Sequence, residues 1–314
     1  MRFYTSKDIN NFLSFPALIE ALRTGFTKEY TIPNRMHLDY DNPEDANQNT
    51  LLLMPAVSCG DFAGVKIVNV SIENGRRNLP SIQGIYYLLD AITGEPKAIF
   101  DAKSLTNWRT AAASALAADF LARADASRLL MIGTGSLAPF LIDAHATTRP
   151  IKELFIYGRS KQKAETLAKS KAGQFEKIEV VDDLDNSLSK ADIVSSATFS
   201  ETPLVTGQNL RSGQHIDLVG AFKPTSRESD DEVMRRPKIY VDSMETALKE
   251  AGDLAIPLAS GVISAEDIKG DLFALSSSSV VGRESDSEIT CFKSVGHALE
   301  DLVAAQLVLN NDQS

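Results

Sequence analysis

Short apolar runs alternate with helix-like segments through the middle of the chain. The runs cover residues 129–132, 154–157, 178–181, 193–196, 215–219 and 239–241. Apolar runs of this length, separated by helical segments, are typical of strands in a parallel sheet that is buried on both faces. The pattern therefore predicts an α/β fold with a doubly wound parallel sheet over residues 113–290.

The two ends of the chain have a different pattern, which predicts a second domain of the α+β type. Helical periodicity from residue 9 to residue 26 precedes strand candidates at 51–54, 62–70, 84–89 and 98–100. Near the C-terminus, residues 292–309 place Val295, Leu299, Leu302 and Val303 on one face of a long helix. We expect this domain to comprise residues 1–112 and 291–314.

The first strand of the predicted sheet ends in a glycine-rich turn, Gly133-Thr-Gly135-Ser136-Leu137-Ala138. Gly133 permits a tight turn, Gly135 lets the backbone approach a pyrophosphate, and the small Ala138 lets the next helix pack on the strand. The N-terminus of that helix then faces the anion. Strand, turn and helix together predict a dinucleotide site, with an ordinary strand-to-helix turn as the alternative.

A basic turn after the second strand bears on the choice of cofactor. Gly158-Arg159-Ser160-Lys161 follows the run at 154–157, where this kind of domain binds the adenosine ribose. An acidic residue there would hold the 2′-hydroxyl of NAD, whereas Arg159 and Ser160 offer charge and donors for a 2′-phosphate. The sequence therefore favours NADPH, with NADH used at lower efficiency. The alternative is a solvated basic turn that opens the next helix.

Composition and charge narrow the class of protein. The 314 residues carry a formal net charge of −10 with a pI near 5.0, which argues against general affinity for nucleic acid or an anionic membrane. Cys59 and Cys291 are too few for a disulfide framework, no run reaches transmembrane length, and the N-terminus lacks a signal-peptide pattern. The four histidines have no metal-ligand spacing. We expect a cytoplasmic protein that binds small molecules and no metal.

Three basic residues in the first 110 positions stand out by their surroundings. Lys66 interrupts the apolar run 62–68, so its side chain either emerges on a polar face or meets an anion. Arg109 lies at the start of a helix of small residues, where its guanidinium fork suits a carboxylate, and a surface position is the alternative. Arg35 lies in a loop-like stretch and is unremarkable by pattern alone.

Six segments occur in an order that resembles one known family. They are Gly64-Val-Lys66-Ile-Val-Asn69, Asn78-Leu-Pro80-Ser81, Thr93-Gly94-Glu-Pro96, Arg109-Thr-Ala-Ala, Gly133-Thr-Gly-Ser-Leu-Ala138 and Phe292-Lys-Ser294-Val-Gly296-His-Ala-Leu-Glu-Asp301. Together they make nearly the whole chain similar to the ornithine cyclodeaminase/μ-crystallin family. The resemblance implies a Rossmann domain, a substrate domain built from both ends of the chain, and a homodimer.

The same resemblance implies roles for individual residues. Arg35, Lys66 and Arg109 would surround the carboxylate of an amino or imino acid, with Lys66 and Arg109 as the catalytic pair. The positions expected to contact the cofactor are Ser81, Thr110, Gly133, Gly135, Ser136, Leu137, Arg159, Ser160, Thr198, Val219, Gly220 and Ser294.

One further segment, Val219-Gly220-Ala-Phe222-Lys-Pro224-Thr-Ser-Arg227-Glu228, distinguishes branches of this family. Cyclodeaminases carry a catalytic Asp where this chain has Phe222, and the segment instead resembles Δ1-pyrroline-2-carboxylate reductases. An aromatic wall at Phe222 would suit a flat cyclic imine, and a core aromatic is the alternative. We expect the acidic residues Glu228, Asp230, Asp231 and Glu232 to cap and solvate a short helix.

These features predict an NADPH-dependent reductase of a cyclic ketimine acid. The expected reaction converts Δ1-pyrroline-2-carboxylate to L-proline, or the six-membered homologue to L-pipecolate. Two alternatives stay open: a cyclodeaminase or amino-acid dehydrogenase, and a non-catalytic NADPH-dependent binding protein of the μ-crystallin type. No residue is identified as the proton donor to the imine nitrogen, so a substrate that arrives protonated and delivery by water both stay open.

Overall fold

The computed structural model describes residues 1–45, 47–221 and 223–313 and divides the chain into two compact units. The first unit comprises Met1–Thr110 together with the residues from His297 onward, and the second comprises Ala111–Gly296. The predicted combination of a parallel sheet and a second, smaller sheet is confirmed.

The first unit is a six-stranded sheet with helices packed on it. Its elements are β1 (Arg2–Tyr4), α1 (Ser6–Phe12), α2 (Phe15–Gly25), β2 (Met36–Tyr40), β3 (Asn49–Val57), β4 (Phe62–Val70), β5 (Ile82–Asp90), β6 (Pro96–Asp101), the first part of α3 (Ala102–Leu121) and the C-terminal helix α11 (Ala298–Gln313). The strands lie in the order β1-β6-β5-β4-β3-β2, with β1 parallel to β6 and the other pairs antiparallel. The C-terminal helix packs against α2 and β4.

The predicted helical pattern from residue 9 to residue 26 forms two helices. Helix α1 begins with a capping box between Thr5 and Asp8. It ends at Phe12, and the N–H of the next residue, Leu13, donates to the carbonyl of Ile9. Pro16 lies in the first turn of α2, the position where its missing N–H costs nothing. The break therefore falls just before the proline, while both helices keep one apolar stripe.

The second unit is an eight-stranded sheet in which every pair of neighbouring strands is parallel. The six strands predicted in this region are confirmed to within one residue at each end. The elements are β7 (Arg128–Ile132), α4 (Ala138–Thr148), β8 (Glu153–Tyr157), α5 (Lys161–Ser170), β9 (Lys177–Val180), α6 (Leu184–Lys190), β10 (Ile193–Ser196), β11 (His215–Leu218), α7 (Asp231–Arg235), β12 (Lys238–Val241), α8 (Met244–Glu250), α9 (Gly252–Ala259), β13 (Ile268–Asp271), α10 (Leu272–Ser276) and β14 (Thr290–Lys293).

The C-terminal helix is shorter than predicted, because its expected first turn belongs to the second sheet. Residues 290–293 form β14, which inserts between β11 and β12, and the helix begins at Ala298. All four residues of β14 are buried, but Thr290 and Lys293 are polar, so no apolar run marked the strand, and Phe292 was assigned to the start of the helix. Residues 291–296, which we expected in the first domain, therefore lie in the second unit.

The strand order of the second sheet contains a topological switch point. The sheet runs β13-β12-β14-β11-β10-β7-β8-β9, so the chain moves outward from β7 through β9 and then returns to place β10 on the other side of β7. In open α/β sheets the crevice outside the carboxyl ends of the strands at such a point is the usual ligand site. The edge formed by the ends of β7 and β10 is thus the first place to look for a cofactor.

Candidate active site

Lys66 points to the buried side of the first sheet. In β4 the even-numbered residues face inward, and Lys66 follows this alternation between Gly64 and Val68. Its cross-strand partners are Met54 on β3 and Tyr86 on β5. The alternative of a solvent-facing lysine was therefore wrong, and the buried ammonium needs an anion.

The anion comes from the first turn of α11. Lys66 Nζ lies 2.7 Å from Asp301 Oδ2, while Arg109 Nε donates to Asp301 Oδ1 at 3.0 Å. Arg109 also donates through Nη1 to Glu300 Oε2 at 2.7 Å. All four side chains are buried, so a surface position for Arg109 is excluded. We call these four residues the cation cluster.

The pKa values of Asp301 and Lys66 in the cation cluster are both lowered, for different reasons. Burial would raise the pKa of Asp301, but the adjacent Arg109 and Lys66 outweigh it and hold that pKa below its usual value. Burial, assisted by Arg109 and Arg35 and opposed by Asp301, lowers the pKa of Lys66 to about 8. Lys66 is therefore a group that can give up a proton near neutral pH.

Arg35 and His297 adjoin the cation cluster. The charge of Arg35, a half-buried residue, lowers the pKa of both Lys66 and His297. Burial is the larger cause for His297 and brings its pKa to about 4, so this imidazole is neutral at pH 7. The resemblance thus assigned three cations that the structure does bring together in one unit.

Sequence reasoning missed the partners of these cations. Glu300 and Asp301 appeared only as the end of a family segment, and His297 only as one of four histidines without a metal-ligand spacing. The available signal was an acidic pair in the first turn of a helix that is otherwise buried, since buried carboxylates require cationic partners.

The close packing of the Tyr86 side chain requires a glycine at position 64 of β4. A Cβ atom at Gly64 would lie 2.3 Å from the hydroxyl oxygen of Tyr86, a distance that no real pair of atoms keeps. Tyr86 is fully buried, and burial together with the charge of Asp301 raises the pKa of its hydroxyl well above the usual value. The glycine therefore admits the tyrosine ring beside the cation cluster.

The predicted cofactor residues of the second unit gather at one edge of the sheet. Strands β7, β8, β10, β11 and β14 are parallel, so their carboxyl ends share an edge. Each predicted position in this unit follows one of those ends within five residues: Gly133, Gly135, Ser136 and Leu137 after β7, Arg159 and Ser160 after β8, Thr198 after β10, Val219 and Gly220 after β11, and Ser294 after β14.

The geometry of the turn after β7 fits a dinucleotide. Gly133 has φ +114°, and a Cβ there would lie 2.5 Å from the carbonyl oxygen of Ala197, so only glycine suits the position. Gly135 is exposed and has open space where a side chain would project, which leaves its backbone free to approach a phosphate. Arg159 is also exposed, and it makes no ion pair with another described residue.

Three of the predicted site residues, Ser81, Thr110 and Phe222, do not lie at this edge among the described residues. Ser81 lies just before β5 and Thr110 lies in α3, both assigned to the first unit, and their roles toward the cofactor stay predictions. Phe222, predicted to line the substrate site, lies outside the described residues.

The acidic run after β11 splits into two roles. Asp230 caps α7, accepting from the N–H of Val233 at 3.0 Å, as expected. Glu228 does not solvate a helix, because its side chain is fully buried. Its carboxylate accepts hydrogen bonds from the turns after β10 and β11.

The described residues contain neither a metal-binding group of side chains nor a helix that could span a membrane. Across 1–45, 47–221 and 223–313, no group of three or more His, Cys, Asp or Glu side chains is arranged to hold a metal ion. Within the same ranges, no helix has the length and hydropathy needed to span a membrane.

A doubly wound parallel sheet with an open glycine turn after its first strand is the architecture of the class of dinucleotide-binding domains. A model of the ornithine cyclodeaminase/mu-crystallin family matches residues 2–314, and the chain belongs to this family. The family resemblance predicted from the six segments is confirmed.

The chain is similar over nearly its whole length to individual reductases and to a dehydrogenase. The chain is 37% identical over 309 residues to a Delta(1)-pyrroline-2-carboxylate reductase of Paracoccus denitrificans, covering 98% of this chain and 96% of the relative. The Delta(1)-pyrroline-2-carboxylate reductase of Thermococcus litoralis in complex with NADH and L-proline has a TM-score of 0.93 at 31% identity, over 100% of this chain and 98% of that chain. An archaeal alanine dehydrogenase dimer with bound NAD has a TM-score of 0.91 at 29% identity, over 99% and 95%.

Proposed function

We propose that this chain, an NAD(P)H-dependent imine reductase by class, reduces Δ1-pyrroline-2-carboxylate to L-proline with NADPH, and accepts the six-membered cyclic imine, which yields L-pipecolate, as a second substrate. The observation that carries the proposal is the pair of buried cations in the cation cluster, Lys66 and Arg109, because lysine and arginine bind carboxylates through charge-assisted hydrogen bonds. The similarity to reductases of that imine supports the choice of substrate.

Arg35 adds to the positive potential around these two cations. Its charge lowers the pKa of Lys66 and of His297, and the pKa of about 4 leaves the His297 imidazole neutral at pH 7. A small carboxylate is therefore the proposed ligand of Lys66, Arg109 and Arg35.

Lys66 is also the proposed proton donor for the imine nitrogen. The reduction adds a hydride to the imine carbon and a proton to the nitrogen, and it leaves one oxidised cofactor for each amine formed. When bound, the nicotinamide supplies the hydride. Lys66, with a pKa of about 8, is protonated at neutral pH yet releases its proton more readily than an exposed lysine. Asp301 keeps the ammonium charged and oriented, and solvent restores the proton afterwards.

The preference for NADPH rests on the turn after β8. Arg159 is exposed, and Ser160 caps α5 by accepting from the N–H of Lys163 at 3.4 Å, which directs the first turn of this helix. No acidic side chain occurs between residues 158 and 164 to hold a ribose 2′-hydroxyl. Arg159 is therefore the proposed ligand of the 2′-phosphate.

The proposal includes a homodimer that covers the edge of the first sheet. Strand β2 is the edge strand next to β3, and its apolar side chains Met36 and Leu38 are 56% and 54% exposed. An unpaired edge with exposed apolar residues is a surface that a partner normally covers. The dimer described for the similar alanine dehydrogenase supports this arrangement. A cytoplasmic location remains a prediction from the sequence.

The test is a substrate panel with purified protein. NADPH oxidation is followed with the five- and six-membered cyclic imino acids, and products are identified by chiral chromatography. We expect oxidation that depends on the imine and yields L-proline or L-pipecolate. Tight NADPH binding without turnover of any imine would instead favour the non-catalytic binding protein.

A further inference from the structure

The carboxylate of Glu228 joins two turns at the carboxyl edge of the second sheet. Oε1 accepts from the last residue of β10 and from the turn that follows, namely from Ser196 Oγ at 2.7 Å, Thr198 N at 2.7 Å and Thr198 Oγ1 at 2.8 Å. Oε2 accepts from the turn after β11, from Gly220 N at 2.6 Å and Ala221 N at 3.3 Å. Each oxygen therefore serves one turn.

Residue 228 must present an acceptor oxygen to each of the two turns. Backbone N–H groups donate on both sides, Thr198 N to Oε1 and Gly220 N to Oε2, so both side-chain oxygens must accept. A glutamine presents one oxygen and one NH₂ group, and the NH₂ group would face the N–H donors of the other turn. An aspartate is one methylene shorter and reaches only one of them. The side chain is fully buried, so water does not replace a lost contact.

The two turns are also in direct contact with each other. A Cβ at Gly220 would lie 2.1 Å from the carbonyl oxygen of Thr198 and 2.7 Å from Glu228 Oε1. Since the turns pack this closely, a change in the length or charge of residue 228 moves one turn relative to the other.

Glu228 is itself held in place by buried charges on two other elements. Asp253 Oδ1, on α9, accepts from the backbone N–H groups of Glu228 and Ser229 at 2.8 and 2.9 Å. Lys293 Nζ, on β14, lies 3.2 Å from Asp253 Oδ2. Burial raises the pKa of Glu228, Asp253 adds to this, and Lys293 opposes it. This network lies beneath the edge and exposes no group to a substrate.

We infer that Glu228 is a positioning residue for the nicotinamide cofactor, because its one carboxylate fixes the spacing of the turns that carry Thr198 and Gly220. The inference rests on the proposed function, in which these turns border the cofactor. A dinucleotide spans two mononucleotide halves of such a sheet. The turns after β7 and β8 would hold the pyrophosphate and adenosine, which leaves the turns after β10 and β11 for the nicotinamide half.

The test compares Glu228→Gln with Asp192→Asn. Asp192 is a buried carboxylate just before β10, at the opposite end of the same strand, where it pairs with Arg128 and Arg211. Cofactor affinity is measured by quenching of intrinsic fluorescence, the KM for each substrate by steady-state kinetics, and folding by thermal unfolding. Losing charge-assisted hydrogen bonds should raise the Kd for NADPH about 10- to 100-fold in Glu228→Gln.

A positioning role of Glu228 leads to two further expected results. In Glu228→Gln the KM for NADPH should rise with its Kd while the KM for the imino acid changes little, and Asp192→Asn should lower Tm without weakening cofactor binding. An unchanged Kd in folded Glu228→Gln, or equal losses of cofactor affinity in both variants, would overturn the inference. If Glu228→Gln does not fold, Ser196→Ala removes one of the five donors, and a Kd for NADPH equal to that of the wild type would then overturn it. Failure of the wild type to bind NADPH or NADH would overturn the proposed function itself, before any variant is compared.

Discussion

Asp301 Oδ2 lies 2.7 Å from Lys66 Nζ, and both side chains are buried in the first unit. The aspartate oxygen Oδ1 is occupied by Arg109 at 3.0 Å, so one carboxylate holds two cations. The pair explains why a lysine is retained inside an apolar strand. It also links the proton affinity of Lys66 to a residue more than two hundred positions away in sequence.

The first prediction concerns the pH dependence of catalysis. The folded-state pKa of Lys66 is about 8, below its usual value, and the proposed donor must be protonated. The kcat/KM for imine reduction should therefore be at its plateau below about pH 8 and fall as the pH rises through that value. Lys66→Arg keeps the charge but does not release a proton in this range, so it should retain binding and lose most of kcat. A wild-type profile that stays flat to pH 10 would contradict the role of Lys66 as donor.

The second prediction separates Asp301 from the surface acids of the same helix. Asp301→Asn leaves two buried cations with one carboxylate, which typically costs about 3 to 5 kcal/mol of unfolding free energy. The variant also loses the carboxylate that raises the pKa of Lys66, so the fall in kcat/KM should move to lower pH. Asp312→Asn, near the end of the same helix, is the control and should destabilise the protein less, because Asp312 is half-buried and an asparagine can still accept from the Tyr4 hydroxyl. Equal effects of the two variants on Tm, with no shift of the pH profile, would rule out the proposed coupling.

The third prediction concerns the cofactor. A charge-assisted contact between Arg159 and a 2′-phosphate is worth about 1.5 to 3 kcal/mol, or roughly 10- to 100-fold in affinity. Arg159→Ala should raise the KM for NADPH by that factor and leave the KM for NADH nearly unchanged. Lys163→Ala, an exposed cation two residues into α5, is the matched control. If Arg159→Ala weakens the binding of both cofactors equally, Arg159 does not bind the 2′-phosphate.

The fourth prediction concerns assembly. Wild-type protein should sediment at twice the chain mass of 34.1 kDa. Leu38→Glu places a charge in the proposed interface along β2 and should raise the dimer dissociation constant at least about tenfold, given the cost of burying an unpaired charge. Ile92→Glu changes an exposed apolar residue in the turn between β5 and β6 and serves as control. A monomeric wild type, or a Leu38→Glu variant that dimerises as tightly as Ile92→Glu, would exclude this interface.

Strands could be predicted from the sequence more reliably than helix ends and charged contacts. The runs at 129–132 and 154–157 are bounded by polar turns, so local pattern alone defines them. The strand at 290–293 was missed because it has only two apolar residues, Cys291 and Phe292, between Thr290 and Lys293, and only its pairing with β11 and β12 identifies it.

The cations of the candidate site could be predicted from the sequence, but their carboxylate partners could not. A lysine between buried neighbours signals a buried charge, and the resemblance supplied the other two cations. Their carboxylates lie in α11, and the position of Glu228 depends on turns that approach each other only in the folded sheet. The apolar helix around Glu300 and Asp301 signals that they are buried, but no local pattern identifies their partners, because these pairs form only in the folded chain.

The most direct test of the account is the fate of the hydride. Purified protein is given NADPH carrying deuterium at both C4 positions together with Δ1-pyrroline-2-carboxylate, and the product is analysed by mass spectrometry and NMR. We predict L-proline with one deuterium at Cα, formed in a 1:1 ratio to NADP⁺. Proline formation from ornithine with release of ammonia, and no deuterium transfer to the cyclic imine, would contradict the account and identify a cyclodeaminase.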